Sequence, residues 1–301
     1  MLYNYVGDFV FQFNIHVKSK RSVWDKAKLI LELLLEHSDD PGWYIDKAQK
    51  LISYLYFKYI GNELKNKRQS IFSKEWDHLL ILDACSHDLF QKVLGKKVPY
   101  LISMGSCTPE FLLNNFTKDH YDDIIYINAN PLVELYIPRD KFFKFVPVWK
   151  FAWNSELKTV LPEDVSRFSK LYHKKYPDKR LIAHFMQPHI PFLDYPELGG
   201  GLSAYYTLQG KRNKQIKNPW ELAKRGEIPV DLLLKAYESN LRRVLPVALD
   251  LGSFLRGKTI ITADHGNAFK KLSFPPYFVR GHPCGVYIDE LLKVPWFEVP
   301  K

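Results

Sequence analysis

Asp83, Asp264 and His265 are the residues whose types and surroundings point first to chemistry. Carboxylate oxygens and imidazole nitrogens are the donors expected for zinc or manganese, with calcium or magnesium as alternatives. An adjacent Asp and His reach one ion, or two neighbouring ions, where the backbone turns sharply after a strand. Gly266 is expected to ease that turn. A hydroxyl or thiol from residues 105–109 would complete the site.

That segment reads Ser103-Met104-Gly105-Ser106-Cys107-Thr108-Pro109-Glu110-Phe111 and has the form of a loop entering a helix. Pro109 suits the first helical turn and Thr108 suits the N-cap. A helix amino terminus attracts anions through its free N–H groups and its dipole. A nucleophile there would face a phosphoryl or sulfuryl group already held by backbone donors. Thr108 is the first choice, with Cys107 and Ser106 still open.

Each of these residues has an ordinary reading when taken alone. An Asp after a strand is more often a turn former or a helix cap than a ligand. Asp264-His265-Gly266 could equally be a capped turn. His282, between Gly281 and Pro283, could be a loop histidine, and His189, close to Pro188 and Pro191, could simply pack. The weight lies in the joint pattern.

The elements that must position these residues are short apolar runs, each ending in a polar motif. His78–Leu82 ends in Asp83, and Ile124–Ile127 ends in Asn128-Ala129-Asn130-Pro131. Phe143–Val148 is a third run. Leu181–Met186 ends in Gln187-Pro188-His189, Thr259–Thr262 leads to Asp264-His265-Gly266, and Gly285–Ile288 is a sixth. Strands alternating with helical stretches predict an α/β fold with a largely parallel sheet. In such folds ligands bind at the carboxyl ends of strands, where these motifs sit.

Residues 1–75 read as an amino-terminal strand and helices packed on the core. Phe11, Phe13, Ile15 and Val17 alternate with polar residues, and helices are expected over 22–35 and 44–64. Residues 76–301 hold the strand-end motifs and are expected to form the main domain, with an insertion at about 193–229. The insertion carries Gly199-Gly200-Gly201 and the basic run Lys211-Arg212-Asn213-Lys214. A substrate-covering loop and a solvated insertion are both open for it. A helix over 230–255 leads into the Asp264 strand.

The 301 residues are 46% hydrophobic and 25% charged, the balance of a folded globular chain. The formal net charge of +10 favours anionic partners: phosphate or sulfate esters, glycans, lipid headgroups or nucleic acid. No zinc finger, RNA-binding strand motif or basic helix favours nucleic acid. Three cysteines, Cys85, Cys107 and Cys284, argue against a disulfide framework and fit a reducing compartment. No basic leader with an apolar run and no membrane-spanning stretch is visible. A cytoplasmic location is therefore expected, with peripheral membrane contact as the alternative.

The order of these motifs resembles the alkaline-phosphatase-like superfamily. It runs from Asp83 at a strand end through Gly-Ser-Cys-Thr-Pro, Gln-Pro-His-Ile-Pro-Phe and Ala-Asp-His-Gly to Gly-His-Pro. That group includes sulfatases, nucleotide pyrophosphatases/phosphodiesterases and phosphoglycerol transferases of the lipoteichoic-acid synthase type. The Leu-Asp-Ala-Cys run is similar to sulfatase-like proteins of archaea. The resemblance covers about residues 76–299.

The resemblance implies an α/β/α sandwich with Asp83, Asp264 and His265 as metal ligands and a nucleophile among Ser106, Cys107 and Thr108. His282 would bind a second metal or the substrate. His189 would contact substrate or assist the leaving group, while His184 and Ser106 would touch substrate. The implied activity is hydrolysis or transfer of phosphate esters through a covalent intermediate. A sulfatase, or a non-catalytic anion- or glycan-binding member, is the alternative.

Two departures stand out. Formylglycine sulfatases need Cys/Ser-x-Pro-x-Arg, and Phe111 occupies the Arg position. Two-metal members supply a further Asp and His between the nucleophile and the Asp-His pair. The nearest candidates here are His184, His189 and Asp194, so one metal is expected.

Overall fold

The computed structural model describes residues 35, 38–61, 63–117, 119–200, 203–208, 218–275 and 277–301. The expected strand over 11–17 and the basic run over 211–214 lie outside the described residues, as does the helix over 22–35 apart from Leu35.

The strands, in chain order, are β1 (His78–Leu82), β2 (Tyr100–Ile102), β3 (Tyr121–Asn128), β4 (Phe142–Pro147), β5 (Trp153–Asn154) and β6 (Thr159–Val160). There follow β7 (Arg180–Phe185), β8 (Thr259–Thr262), β9 (Ala268–Lys271), β10 (Phe278–Gly281), β11 (Lys293–Pro295) and β12 (Phe297–Glu298). The main helices are α1 (Pro41–Tyr59), α2 (His87–Leu94), α3 (Thr108–Phe116), α4 (Pro162–Lys175), α5 (Pro219–Lys224) and α6 (Val230–Phe254).

Six strands form one sheet in the order β12-β8-β1-β7-β3-β4. All pairings are parallel except that of the edge strand β12 with β8. The fold is therefore α/β with a largely parallel central sheet, as the alternation of apolar runs predicts. Every residue of β1 is buried. A parallel strand covered on both faces needs such an uninterrupted apolar run. β1 lies between β7 and β8, with Ile81 opposite both His184 and Thr262. This register brings the ends of three parallel strands together.

Helices α4 and α6 pack on each other, α4 against β3 and β7, and α6 against β1 and β8. At the far side of the sheet, Tyr126 of β3 and Phe142 of β4 each make ring contacts with Phe116 of α3. Pro162 opens α4, and Glu163 and Asp164 lie in its first turn with His173, Lys174 and Lys175 in its last. That charge order complements the helix dipole.

Two expected elements differ. The apolar run 285–288 is not a strand: Gly285 has φ 77°, and Val286 and Tyr287 instead fill a small core with Phe57 and Leu292. The helix expected over 44–64 is α1, which starts at Pro41 and stops at Tyr59. The insertion holds a short turn at Pro196–Leu198, a helix at Ser203–Leu208 and α5. No helix among the described residues is long and apolar enough to cross a membrane.

Candidate metal site and nucleophile

Asp83 follows β1 directly, His184 sits near the end of β7, and Asp264 stands two residues beyond β8. One ligand atom from each lies within 4.8 Å of the others. All three side chains are buried. His265 Nε2 joins them, 3.3 Å from Asp264 Oδ2 and 3.9 Å from Asp83 Oδ1. The expected trio is thus brought together, and His184, expected at the substrate, stands in the same group.

The backbone holds these groups firmly. The Ala84 N–H and the His265 N–H donate to Asp264 Oδ1 at 3.0 and 2.9 Å. The Asn130 amide donates to Asp83 Oδ2 at 2.6 Å. His265 Nδ1 pairs with the Gly266 carbonyl at 2.9 Å, which leaves Nε2 to face the carboxylates. His184 Nδ1 lies 2.9 Å from the Tyr126 hydroxyl. Its Nε2, and Asp83 Oδ1, are buried without a hydrogen-bond partner.

The electrostatics follow from this crowding. Burial, and then the Asp264 charge, push the Asp83 carboxyl well above the usual carboxylate range despite the Asn130 bond. Burial also works against Asp264. Its neighbours outweigh that: His265 first, then His184, the Ala84 N–H and Thr108 hold its carboxyl below the ordinary value. Burial pushes the His184 imidazole down to about 4. Two carboxylates and two imidazoles with unmatched buried atoms fit a metal cation.

Gly266 has a different role from the expected one. Its φ is not among the positive values of the chain. A Cβ there would stand 2.1 Å from the Glu290 carbonyl oxygen, so close backbone approach demands the glycine. The residue that turns in the left-handed region is Ala84, with φ 61°.

Thr108 is the first residue of α3 and Cys107 is its N-cap, one position earlier than expected. The Thr108 hydroxyl therefore does no capping. It donates to Asp264 Oδ2 at 2.7 Å, and its oxygen lies 3.1 Å from His265 Nε2. Cys107 is bonded to Cys284, so its sulfur is not a thiol. This overturns Cys107 as a nucleophile or formylglycine precursor in the bonded form. It also removes the cysteine argument for a reducing compartment, since two of the three cysteines pair and buried Cys85 is the free one. Ser106 is occupied within its loop: its hydroxyl is shared between Glu110 Oε2 and the Pro283 carbonyl, each at 3.1 Å. That bonding leaves it no free donor for substrate.

His282 and His189 line up beside the cluster. Ring centroids are 4.4 Å apart for His265 and His282, and 5.0 Å apart for His189 and His282. His282 Nδ1 lies 2.8 Å from Asn267 Oδ1, and His189 Nδ1 lies 2.6 Å from the Ile190 carbonyl. Burial pushes His189 down to about 4 and His282 well below its ordinary range. Asp194 is away from the group: it accepts from Ser239 and lies 3.8 Å from Arg243.

Sequence reasoning missed Asn130, Tyr126, Tyr237 and Asn240. Asn130 carried a usable signal, because it closes a polar motif at a strand end. The other three sit in apolar or amphipathic runs where nothing separates them from packing residues.

No protein-family model matches the chain, and no curated protein sequence matches it. Several solved structures are similar. One is the soluble domain of lipooligosaccharide phosphoethanolamine transferase A from Neisseria meningitidis, at 11% identity and TM-score 0.46, covering 73% of this chain and 75% of that chain. The integral membrane form of that protein gives 14% identity and TM-score 0.47, covering 94% of this chain and 65% of that chain. The C-terminal periplasmic domain of EptC from Escherichia coli gives 13% and 0.41, covering 76% and 75%.

Proposed function

We propose that this chain is a metal-dependent enzyme of the alkaline-phosphatase-like type that transfers or hydrolyses phosphate esters through an intermediate on Thr108. The observation that carries the reading is the Thr108 hydroxyl, 2.7 Å from Asp264 Oδ2 and 3.1 Å from His265 Nε2. The hydroxyl is turned away from the capping position and into the group of potential ligands.

Asp83, Asp264, His265 and the Thr108 oxygen would hold the metal, with His184 adjacent. When bound, the metal favours the alkoxide form of Thr108 and neutralises charge on the phosphoryl group. The hydrogen bond to Asp264 orients the Thr108 hydroxyl, whose proton would leave to solvent as it does for a metal-bound ligand. Thr108 Oγ1 then forms its bond to phosphorus as the bond to the leaving oxygen breaks in line. The amino terminus of α3 presents backbone N–H groups to the phosphoryl oxygens.

His189 is neutral at pH 7, and its Nδ1–H is given to the Ile190 carbonyl. Its free Nε2 is thus a proton acceptor. That suits the second half of the reaction, where it takes the proton of the water or alcohol that displaces Thr108 from phosphorus. Water makes the protein a hydrolase; an alcohol makes it a transferase.

The test is turnover of bis(p-nitrophenyl) phosphate with zinc or manganese. Thr108→Val keeps the shape and loses the hydroxyl, and should lower kcat at least about a thousandfold. Mass spectrometry of quenched wild-type reactions should find a p-nitrophenyl phosphoryl group on the peptide containing Thr108, since one p-nitrophenolate leaves and the other stays on phosphorus. A Thr108→Val protein that turns over at the wild-type rate removes this reading.

A further inference from the structure

Helix α6 carries none of the motifs that resemble a known family, yet two of its buried polar side chains reach the loops of the site. Tyr237 and Asn240 are three residues apart and share a helix face. Asn240 Nδ2 donates to the His189 and Pro191 carbonyls at 2.9 and 3.0 Å, and its Oδ1 accepts from the Leu193 N–H. It therefore shapes the loop of His189.

Tyr237 acts on the metal-site turn. Its hydroxyl donates to the Ala84 carbonyl and accepts from the Ser86 N–H at 3.2 Å. Ala84 is the residue with φ 61°, and its N–H is the one that donates to Asp264 Oδ1 at 3.0 Å. The residue before it is Asp83. An L-residue is strained in the left-handed region, so Ala84 needs something to hold it there. The phenol supplies that hold by bonding both ends of the 84–86 turn. If Ala84 relaxed toward negative φ, its N–H would swing off Asp264 and the Asp83 carboxylate would move with the chain.

We propose that Tyr237 is a positioning residue of the metal site: it clamps Ala84 in the left-handed conformation and thereby fixes the Asp83 and Asp264 carboxylates relative to one another. The inference rests on the metal-site reading above. The phenol need touch neither metal nor substrate, because it acts through the backbone of one strained residue.

The test is zinc affinity of the full chain, measured by competition with a chromogenic chelator. Tyr237→Phe keeps the ring against Trp220 and should weaken zinc binding by about 10- to 100-fold, the range for loss of a supporting group. Ala84→Gly added to Tyr237→Phe should recover most of that loss, because glycine takes positive φ without strain. A purely structural tyrosine would show no such rescue. Zinc affinity unchanged in Tyr237→Phe overturns the clamp, as does a loss that Ala84→Gly does not recover. Should Tyr237→Phe not fold, the double variant decides: folding with near wild-type zinc affinity supports the clamp, and failure to fold overturns it. A wild-type chain that binds no zinc or manganese removes the metal-site reading itself, and is thereby distinguished from failure of the clamp alone.

Discussion

His184 Nε2, buried and without a hydrogen-bond partner, lies 3.8 Å from Asp83 Oδ2. Asp83 Oδ1 is unmatched as well, and Asp264 adds a second buried carboxylate to the same space. An unmatched buried polar atom costs about 1–3 kcal/mol, and more when charged. The metal-free site is thus a local weakness of the fold that a divalent cation would relieve.

Zinc should therefore raise the unfolding temperature of the wild type. At about 100 times its dissociation constant, a ligand adds about 2.7 kcal/mol. Asp83→Asn should have two opposite effects. It removes one of two repelling carboxylates, so the metal-free variant should be at least as stable as the metal-free wild type. It also removes one of the proposed ligands, so the zinc-dependent rise should vanish. Thermal unfolding with chelator and with zinc measures both. A variant less stable than the metal-free wild type, or one with the full zinc response, contradicts this account.

The strand ends were legible because fully buried parallel strands are unbroken apolar runs, and Asp83 and Asp264 are the first charges after two of them. The partners of those strands were not legible. Register alone puts His184 opposite Ile81, and only then does a histidine inside an apolar run become a neighbour of two carboxylates. The 285–288 run has strand-like composition, yet its residues are used up in packing with Phe57. Tyr237 and Asn240 fall on the buried face of an amphipathic helix, where a polar side chain becomes informative only when its bonding partner is known. The pairing of Cys107 with Cys284 spans 177 residues, beyond any spacing rule.

That bridge joins the N-cap of the Thr108 helix to the loop two residues after His282. Closing so long a loop restricts the unfolded chain, and removing such a bridge typically costs about 2–5 kcal/mol. Reduction with a dithiol, or Cys284→Ser, should lower stability by that order. It should also weaken turnover, since both flanks of the site are released. Non-reducing peptide mapping should show the Cys107 and Cys284 peptides linked. Recovery of Cys107 as a free thiol, or as formylglycine, in the folded protein would refute the bridge.

A pH response should arise far from the site, at His78. Its Nε2 pairs with the Arg256 carbonyl at 2.6 Å, its Nδ1 is buried without a partner, and its ring lies edge-on to His173 with centroids 5.0 Å apart. Burial pushes the imidazole from 6.5 down to about 4, and His173 is lowered as well. His78 is therefore neutral in the fold at pH 6, while in the unfolded chain it takes up a proton below about pH 6.5. The unfolded state binds more protons in that window, so stability rises with pH there. The contribution is complete above pH 6.5 and is lost as pH falls from 6.5 toward 4, reaching about 3 kcal/mol. His78→Gln places an amide donor near the Nε2 position for the Arg256 carbonyl and cannot titrate. Urea unfolding in chelator at pH 7.5 and pH 4.5 should show a loss on acidification that is smaller in His78→Gln by roughly that amount. Equal losses in the two proteins would mean that the His78 proton plays no part in the acid response.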